Sequence, residues 1–493
     1  MIKLEQLSTL QYNFATDTTD NVSCNAFPGS GKSVTLAVRI KFWKDQGLFK
    51  NMKVLLLCFN NPIAREWERY NLGIDVNTSH SLGFKILKDI LGTYPDVDKY
   101  KYQDLYNLSV LESKTLSSIR RRILFNEYTK SEIIDMLRDE LLITGADPIV
   151  LDKSCLKIYN AWRKGINCMS NTIDYDDMLF GSFELLVANP KLKNKLFHKY
   201  DYVIIDEAQD ITLFQWKLLD LVDCSNLWAT GDENQDLFRF IGSDFMLWRN
   251  KAIHYGCTDF ILNQSRRCPQ VVEPIAQKYV PDFEVLKSNP MGSVDFSNVD
   301  NIGKAKLNKE TTIICRANRP LIYVGMKLLE KDIKFQFKKD ITKPIVSFLR
   351  SRTRRNTSLF VANTIFENYK DDRTNKLLAN ELDMSEQEVD IFETVLSLTS
   401  SSKYRNIGAL IDALEKIPDS KGGVILSSIH GYKGLENNSI VLINHQQLEQ
   451  GAFKGETMSP HNELMNLAFV AVTRVKQNLI FRQEDQIQEF LKK

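Results

Sequence analysis

Two short stretches of this chain carry side chains suited to cutting a phosphate anhydride. In NAFPGSGKS, Asn25 to Ser33, backbone N–H groups of Gly29, Ser30, Gly31, Lys32 and Ser33 can wrap phosphate oxygens where a helix begins and its dipole adds positive potential. Lys32 can then reach the β- and γ-phosphates, and Ser33 can ligate Mg²⁺. The nucleotide-contacting run is taken as Ala26, Phe27, Pro28, Gly29, Ser30, Gly31, Lys32, Ser33 and Val34. Ala26 stands where the general pattern GxxxxGK[ST] has its first glycine. The second stretch is DEAQD, 206 to 210. Asp206 can hold a Mg²⁺ shell while Glu207 accepts a proton from an attacking water. Taken singly, the first stretch also reads as a tight turn and the second as an acidic helix start. Taken together they point to ATP with Mg²⁺.

Such residues need strand ends to hold them. VLLLCF (54 to 59), YVIID (202 to 206) and NLWATGD (226 to 232) read as buried strands ending at polar residues. TTIICRAN (311 to 318), GVILSSIH (423 to 430) and SIVLIN (439 to 444) repeat the pattern later in the chain. Strands alternating with helical segments predict parallel sheets, whose ligands collect at the carboxyl ends of strands.

The 493 residues suggest several domains, and 43% hydrophobic with 26% charged residues is a globular composition. With 64 basic against 62 acidic side chains, no global charge draws the chain to polyanions, so any nucleic-acid contact must be local. Eight scattered cysteines without a CxxC pair fit reduced thiols and exclude the usual zinc ribbons. The polar N-terminus and the lack of a long apolar run predict a cytoplasmic protein with no membrane partner.

Two stretches read as mainly helical insertions, one bearing Arg120, Arg121 and Arg122, the other Arg350, Arg352, Arg354 and Arg355. Both arginine clusters are read as solvated helix faces before duplex contacts. The expected division is 1–84 and 173–255 for a first α/β domain interrupted by 85–172, then 256–340 and 422–493 for a second interrupted by the short 341–421.

In order along nearly the whole chain, the motifs resemble those of the UvrD/Rep-like helicases of superfamily 1. That family commonly writes its phosphate loop AxxGSGK[ST], which Ala26 matches. Gln11 falls at the adenine-reading Q motif. LLLCFNNPIAREW (55 to 67) is similar to motif Ia, and NTSHSLGF (77 to 84) to the next strand-contact motif. The resemblance implies nucleic-acid contacts at Phe59, Asn60, Asn61, Thr78 and His80. DYDDMLF (174 to 180) is similar to the short motif that precedes the acidic strand. TGDENQDLFRFIG (230 to 242) looks like motif III, implying a γ-phosphate sensor in Gln235 and base-stacking rings in Phe238 and Phe240.

LNQSRRCPQVV (262 to 272) resembles motif IV, with Arg267 on the γ-phosphate and Arg266 where an adenine-stacking Tyr is usual. TTIICRANRPLIYVG looks like motif IVa. SSIHGYKGLENNSIVL (427 to 442) is similar to motif V, implying backbone contacts from Ser428 and His430, close approach at Gly434 and a ribose contact from Glu436. NLAFVAVTRVKQNL (466 to 479) looks like motif VI, with Arg474 as arginine finger. Ile241, Arg266 and the pair Met465/Asn466 depart from the family pattern.

What the resemblance implies is two RecA-like P-loop NTPase domains of α/β class with parallel sheets, each carrying a helical insertion. It also implies a 3′→5′ single-stranded DNA translocase or helicase using ATP and Mg²⁺ on single-stranded or tailed duplex DNA. A nucleic-acid-stimulated ATPase switch or loading subunit within a repair, replication or defence complex is the first alternative. An RNA-directed helicase is the second. A nuclease fusion is not expected, with Lys493 so close behind Arg474.

Overall fold

Runs of Val, Ile and Leu too short for helices become strands whose two faces are both covered. The computed structural model describes residues 4–98, 172–188, 190–191, 200–221, 224–238, 243–296, 309–378, 386–400, 404–416, 422–446, 448 and 463–483. The Arg120–Arg122 cluster, most of the first expected insertion, Phe240 and Ile241 lie outside them. The chain divides into two units, Met1–Phe27 with Gly31–Asn263, and Pro28–Ser30 with Gln264–Lys493.

In the first unit the strands are β1 (Val22–Ala26), β2 (Val54–Cys58), β3 (Asp75–Thr78), β4 (Asp96–Val97), β5 (Thr172–Ile173), β6 (Tyr202–Asp206), β7 (Asn226–Gly231) and β8 (Thr258–Leu262). Six of them form one sheet in the order β3-β2-β6-β7-β1-β8, while β4 and β5 pair separately. Every pairing is parallel. Helices α1 (Thr9–Thr16), α2 (Lys32–Asp45), α3 (Asn61–Arg69), α4 (Ser79–Leu91), α5 (Tyr175–Ala188), α6 (Leu213–Asp220) and α7 (Phe245–His254) connect them. Alternation along the strands feeds two cores. Leu56, Ile204 and Trp228 join Leu36, Ile40 and Trp43 of α2 on one side. Leu55, Leu57, Val203, Ile205 and Leu227 join Phe214 and Trp248 on the other.

The second unit carries a small pair, β9 (Gln264–Ser265) with β10 (Glu284–Val285), and a six-stranded sheet. Its strands are β11 (Ser293–Asp295), β12 (Thr311–Cys315), β13 (Phe335–Phe337), β14 (Val424–Ser428), β15 (Asn437–Ile443) and β16 (Val475–Arg482). They run parallel in the order β11-β16-β15-β12-β14-β13. Helices α8 (Glu273–Ala276) and α9 (Asn318–Glu330) precede four more between β13 and β14: α10 (Thr342–Arg352), α11 (Leu359–Leu378), α12 (Glu386–Thr399) and α13 (Ile407–Lys416). Those four share one apolar cluster with the sheet, through Leu349, Phe366, Val395 and Leu410 against Phe335 and Leu426. Arg350 pairs with Glu415 at 2.7 Å, Arg355 with Asp412 at 2.6 Å, and Arg352 lies over the Tyr369 ring. These arginines therefore tie helices together. Helices α14 (Ile429–Tyr432) and α15 (Glu463–Val472) also belong to this unit.

Candidate functional site

The phosphate loop leaves β1 at Ala26, which is 2% exposed and registered with Leu262 of β8. The Phe27 N–H donates to the Leu262 carbonyl at 2.9 Å. Ala26 therefore points its methyl into the sheet core and needs no glycine freedom. Gly29 and Gly31 do need it, with φ of 73° and 79°. A Cβ on Gly31 would stand 2.7 Å from the Gln11 amide nitrogen, and one on Gly29 2.5 Å from Cβ of Arg267. Pro28 and Ser30 are buried and Val34 half-buried. At the loop tip the Arg266 N–H donates to the Gly29 carbonyl at 2.8 Å.

Gln11 is buried, and its carbonyl accepts from the Ser8 N–H at 3.0 Å in a capping box that starts α1. Buried Arg39 holds α1 against α2. It donates to the carbonyls of Phe14 and Thr19, pairs with Asp17 at 3.2 Å, and lies over the rings of Phe14, Trp43 and Trp228.

Across from the loop, β6 delivers Asp206 and Glu207. Lys32 Nζ stands 2.5 Å from Glu207 Oε2 and 3.5 Å from Asp206 Oδ1. Burial alone would lower the Lys32 pKa. Glu207 and Asp206 outweigh it and hold the ammonium well above its ordinary value. Asp206, 1% exposed, accepts on Oδ2 from Ser33 Oγ at 3.1 Å and from Trp67 Nε1 at 3.0 Å. Its Oδ1 accepts from Thr230 Oγ1 at 3.3 Å and the Glu207 N–H at 3.1 Å. The adjoining Ser33 hydroxyl and Asp206 carboxylate are hard oxygen donors of the kind Mg²⁺ takes, so this pair fits that ion. Among the described residues no three His, Cys, Asp or Glu side chains gather into a metal site. Such a partial set suits an ion that keeps waters and substrate oxygens.

Glu207 adopts a left-handed backbone, φ 60°. Its Oε2 accepts from the Gln209 amide at 2.7 Å, and the Gln209 carbonyl accepts from the Asp232 N–H at 3.0 Å. A Cβ on Gly231 would lie 2.4 Å from that carbonyl, which is why glycine ends β7. Asp232 in turn accepts from the Gln235 amide at 2.6 Å. Burial pushes the Asp232 carboxyl up to about 6, against the opposing bonds from Gln235 and Asn234. One chain of polar contacts thus runs Glu207, Gln209, Asp232, Gln235.

The remaining first-unit residues lie at neighbouring strand ends. Asn60 caps α3 by accepting from the Ile63 N–H at 3.0 Å, and Thr78 caps α4 through the Ser81 N–H at 3.1 Å. Exposed Asn61 opens α3. Phe59 and Phe238 stack on each other, with centroids 5.2 Å apart and planes within 17°. His80 meets the edge of Tyr175 at 6.0 Å.

In the second unit Arg267 forms an ion pair with Glu436, which also pairs with Lys476 at 2.6 Å. Burial pushes the Glu436 carboxyl up, but Arg267 and Lys476 prevail and hold it below its usual range. Arg474, 2% exposed, follows α15 and donates from Nε to the Val470 carbonyl of that helix at 2.9 Å. Ser428 caps α14 through the Gly431 N–H at 3.1 Å, and His430 Nε2 lies 4.0 Å from Glu463. Gly434 has φ 82° with open space around it.

The UvrD/REP helicase N-terminal domain matches residues 7–255, half of the chain. The chain belongs to this UvrD/Rep helicase family. It is similar to the DNA helicase II of Rickettsia typhi, 27% identical over 237 residues covering 44% of this chain and 35% of that one. It is also similar to the ATP-dependent DNA helicase PcrA of Staphylococcus aureus, 24% identical over 264 residues covering 49% of this chain and 35% of that one. The chain thus spans about a third of the length of the curated relatives it matches.

For this UvrD/Rep member, motif reading passed over Gln209, Asp232, Trp67 and Lys476. Gln209 and Asp232 lie inside the quoted motifs, two residues from Glu207 and three from Gln235, and that spacing was a usable signal. Trp67 and Lys476 also lie inside quoted motifs, at the end of LLLCFNNPIAREW and two residues after Arg474, but nothing there signals their partners. Their contacts come from parts of the chain distant in sequence from Asp206 and Glu436.

Proposed function

We propose that the protein is an ATP-driven motor that moves 3′→5′ along single-stranded DNA and separates tailed duplexes. The observation that carries this reading is the cluster in which Lys32, Ser33, Asp206 and Glu207 converge, joined through Gln209 and Asp232 to Gln235. Lys32 pairs with Glu207 and Asp206. With a triphosphate bound, the ammonium would serve its β- and γ-oxygens and Glu207 would take a proton from water. That water attacks the γ-phosphorus, the bond to the β–γ bridging oxygen breaks, and ADP and phosphate leave. Ser33 and Asp206 would hold Mg²⁺, which when bound neutralises charge on the phosphate oxygens. Gln235, held by Asp232 three residues ahead of Phe238, is placed to link the state of the γ-phosphate to an aromatic contact with bases. For Arg267, Glu436, Arg474 and the adenine contact of Gln11, the reading rests on the motif resemblance.

Asn60 and Thr78 are N-caps of α3 and α4, so N–H groups near each are oriented as phosphate-binding helix starts orient theirs. Contacts of that kind favour a sequence-independent grip. A second reading, an ATPase switch or loading subunit that does not unwind alone, draws support from helices α10–α13. Leu349, Phe366, Val395 and Leu410 of these helices join the sheet core, and Arg350 and Arg355 pair with acidic side chains.

The test is ATP turnover with and without single-stranded DNA or RNA, followed by strand displacement from 3′-tailed and 5′-tailed duplexes. DNA-stimulated turnover with displacement from a 3′ tail is the expected result. Stimulation without displacement selects the switch, preference for RNA selects an RNA-directed enzyme, and unwinding from a 5′ tail alone reverses the polarity. No stimulation by either polymer ends the motor reading.

A further inference from the structure

Asp206 is bound by a donor that the hydrolytic chemistry does not call for. The Trp67 indole is 2% exposed and donates from Nε1 to Asp206 Oδ2 at 3.0 Å, the same oxygen that accepts from Ser33. A buried tryptophan needs some acceptor for its N–H, and a carbonyl would serve. Here the acceptor is a carboxylate 139 residues away, at the point assigned to the metal. Trp67 sits late in α3, a nine-residue helix whose first turn follows Phe59 and the Asn60 cap. Ala64 and Trp67, one turn apart, form the buried face of α3 in the core that also holds Leu56 and Ile204. Tyr70 packs against the Trp67 ring at 5.4 Å. A helix this short moves as a rod, so a shift at its N-terminal end reaches the indole.

We infer that Trp67 is a positioning residue that sets the Asp206 carboxylate for its metal, and that through it α3 carries strand binding at Phe59 and Asn60 to the nucleotide site. This inference rests on the motor reading for the identity of the strand and of the metal. A hydrogen bond to a charged acceptor strengthens with small changes of distance and angle, so a slight tilt of α3 alters how firmly Oδ2 is held.

The experiment replaces Trp67 in the full chain by β-(3-benzothienyl)alanine, which keeps the ring shape and removes the N–H, with Trp67→Phe as the simpler companion. Binding of a fluorescent ADP analogue is titrated with Mg²⁺, in the presence and absence of oligo-dT, and the melting temperature is recorded beside it. The expected result is an upward shift of the Mg²⁺ midpoint by about tenfold, the size of one lost charged hydrogen bond. Analogue binding without Mg²⁺, and oligo-dT affinity without nucleotide and Mg²⁺, should be unchanged, and the change that oligo-dT produces in the wild-type midpoint should be lost. A variant with the wild-type midpoint, or one that keeps the full oligo-dT response, overturns the inference. Failure of the motor reading shows itself separately, as a wild-type protein that neither binds oligo-dT nor hydrolyses ATP faster with it.

Discussion

Lys32 lies between two carboxylates, and its removal should have two effects that can be told apart. Lys32→Ala is expected to abolish ATP turnover and weaken nucleotide binding. Glu207→Gln should abolish turnover while binding persists, because the amide keeps the shape and loses the base. Equilibrium binding of a fluorescent nucleotide beside steady-state hydrolysis separates the two. Asp232 makes a different prediction. Its folded pKa of about 6 lies above the ordinary 3.8, so the folded protein binds the proton more tightly than the unfolded chain. Its contribution to stability is therefore full below pH 4 and is lost as pH rises through 6, by up to about 3 kcal/mol. Asp232→Asn should flatten that part of the stability profile in urea melts between pH 4 and 7. It should also slow turnover, because Gln235 and the Asn234 N–H then compete for a single side-chain oxygen. Arg39 shows how much can hide in an unremarked position. VTLAVRIKFWK shows only one of the three rings over this fully buried arginine, Trp43 one turn on, while Phe14 and Trp228 come from α1 and β7.

At the scale of elements, the site depends on how closely helices approach. Gly83 in α4 faces the Met178 carbonyl of α5, where a Cβ would lie 2.2 Å from that oxygen. Gly83→Ala should force α4 and α5 apart and cost about 1–3 kcal/mol in urea denaturation. It should also weaken single-stranded DNA binding, because the two helices hold His80 beside Tyr175. Strand ends were the most legible part of this architecture. YVIID and NLWATG are buried strands because both their faces are apolar, and the polar residues after them gather at one end of a parallel sheet. Relations between elements were less legible. The arginines of SFLRSRTRRN read as a solvated face, and Arg350 and Arg355 do stay exposed, but their partners there, Glu415 and Asp412 on α13, come some 60 residues later and were not legible. Caps fell between these extremes. The motif resemblance implies nucleic-acid contacts at Asn60, Thr78 and Ser428, and each also starts a helix, two demands that select the same short polar residues.

For the whole molecule, strand order decides what can be cut away. Strand β1, which carries the phosphate loop, lies between β7 and β8, with Val22 registered to both Trp228 and Thr258. A fragment ending at residue 263 keeps that pairing, whereas one ending at 255, where the family match stops, leaves β1 as an open edge. The longer fragment should melt cooperatively by circular dichroism, and the shorter should melt earlier or aggregate. The same order has a consequence for synthesis. The loop after β1 is made before most of its sheet, and its strand is enclosed only by chain made more than 200 residues later. On a ribosome adding about 5–20 residues each second, the nascent loop waits ten seconds or more, roughly, before β8 emerges. On the motor reading, a growing chain is therefore expected to gain its nucleotide cradle only once β8 has emerged.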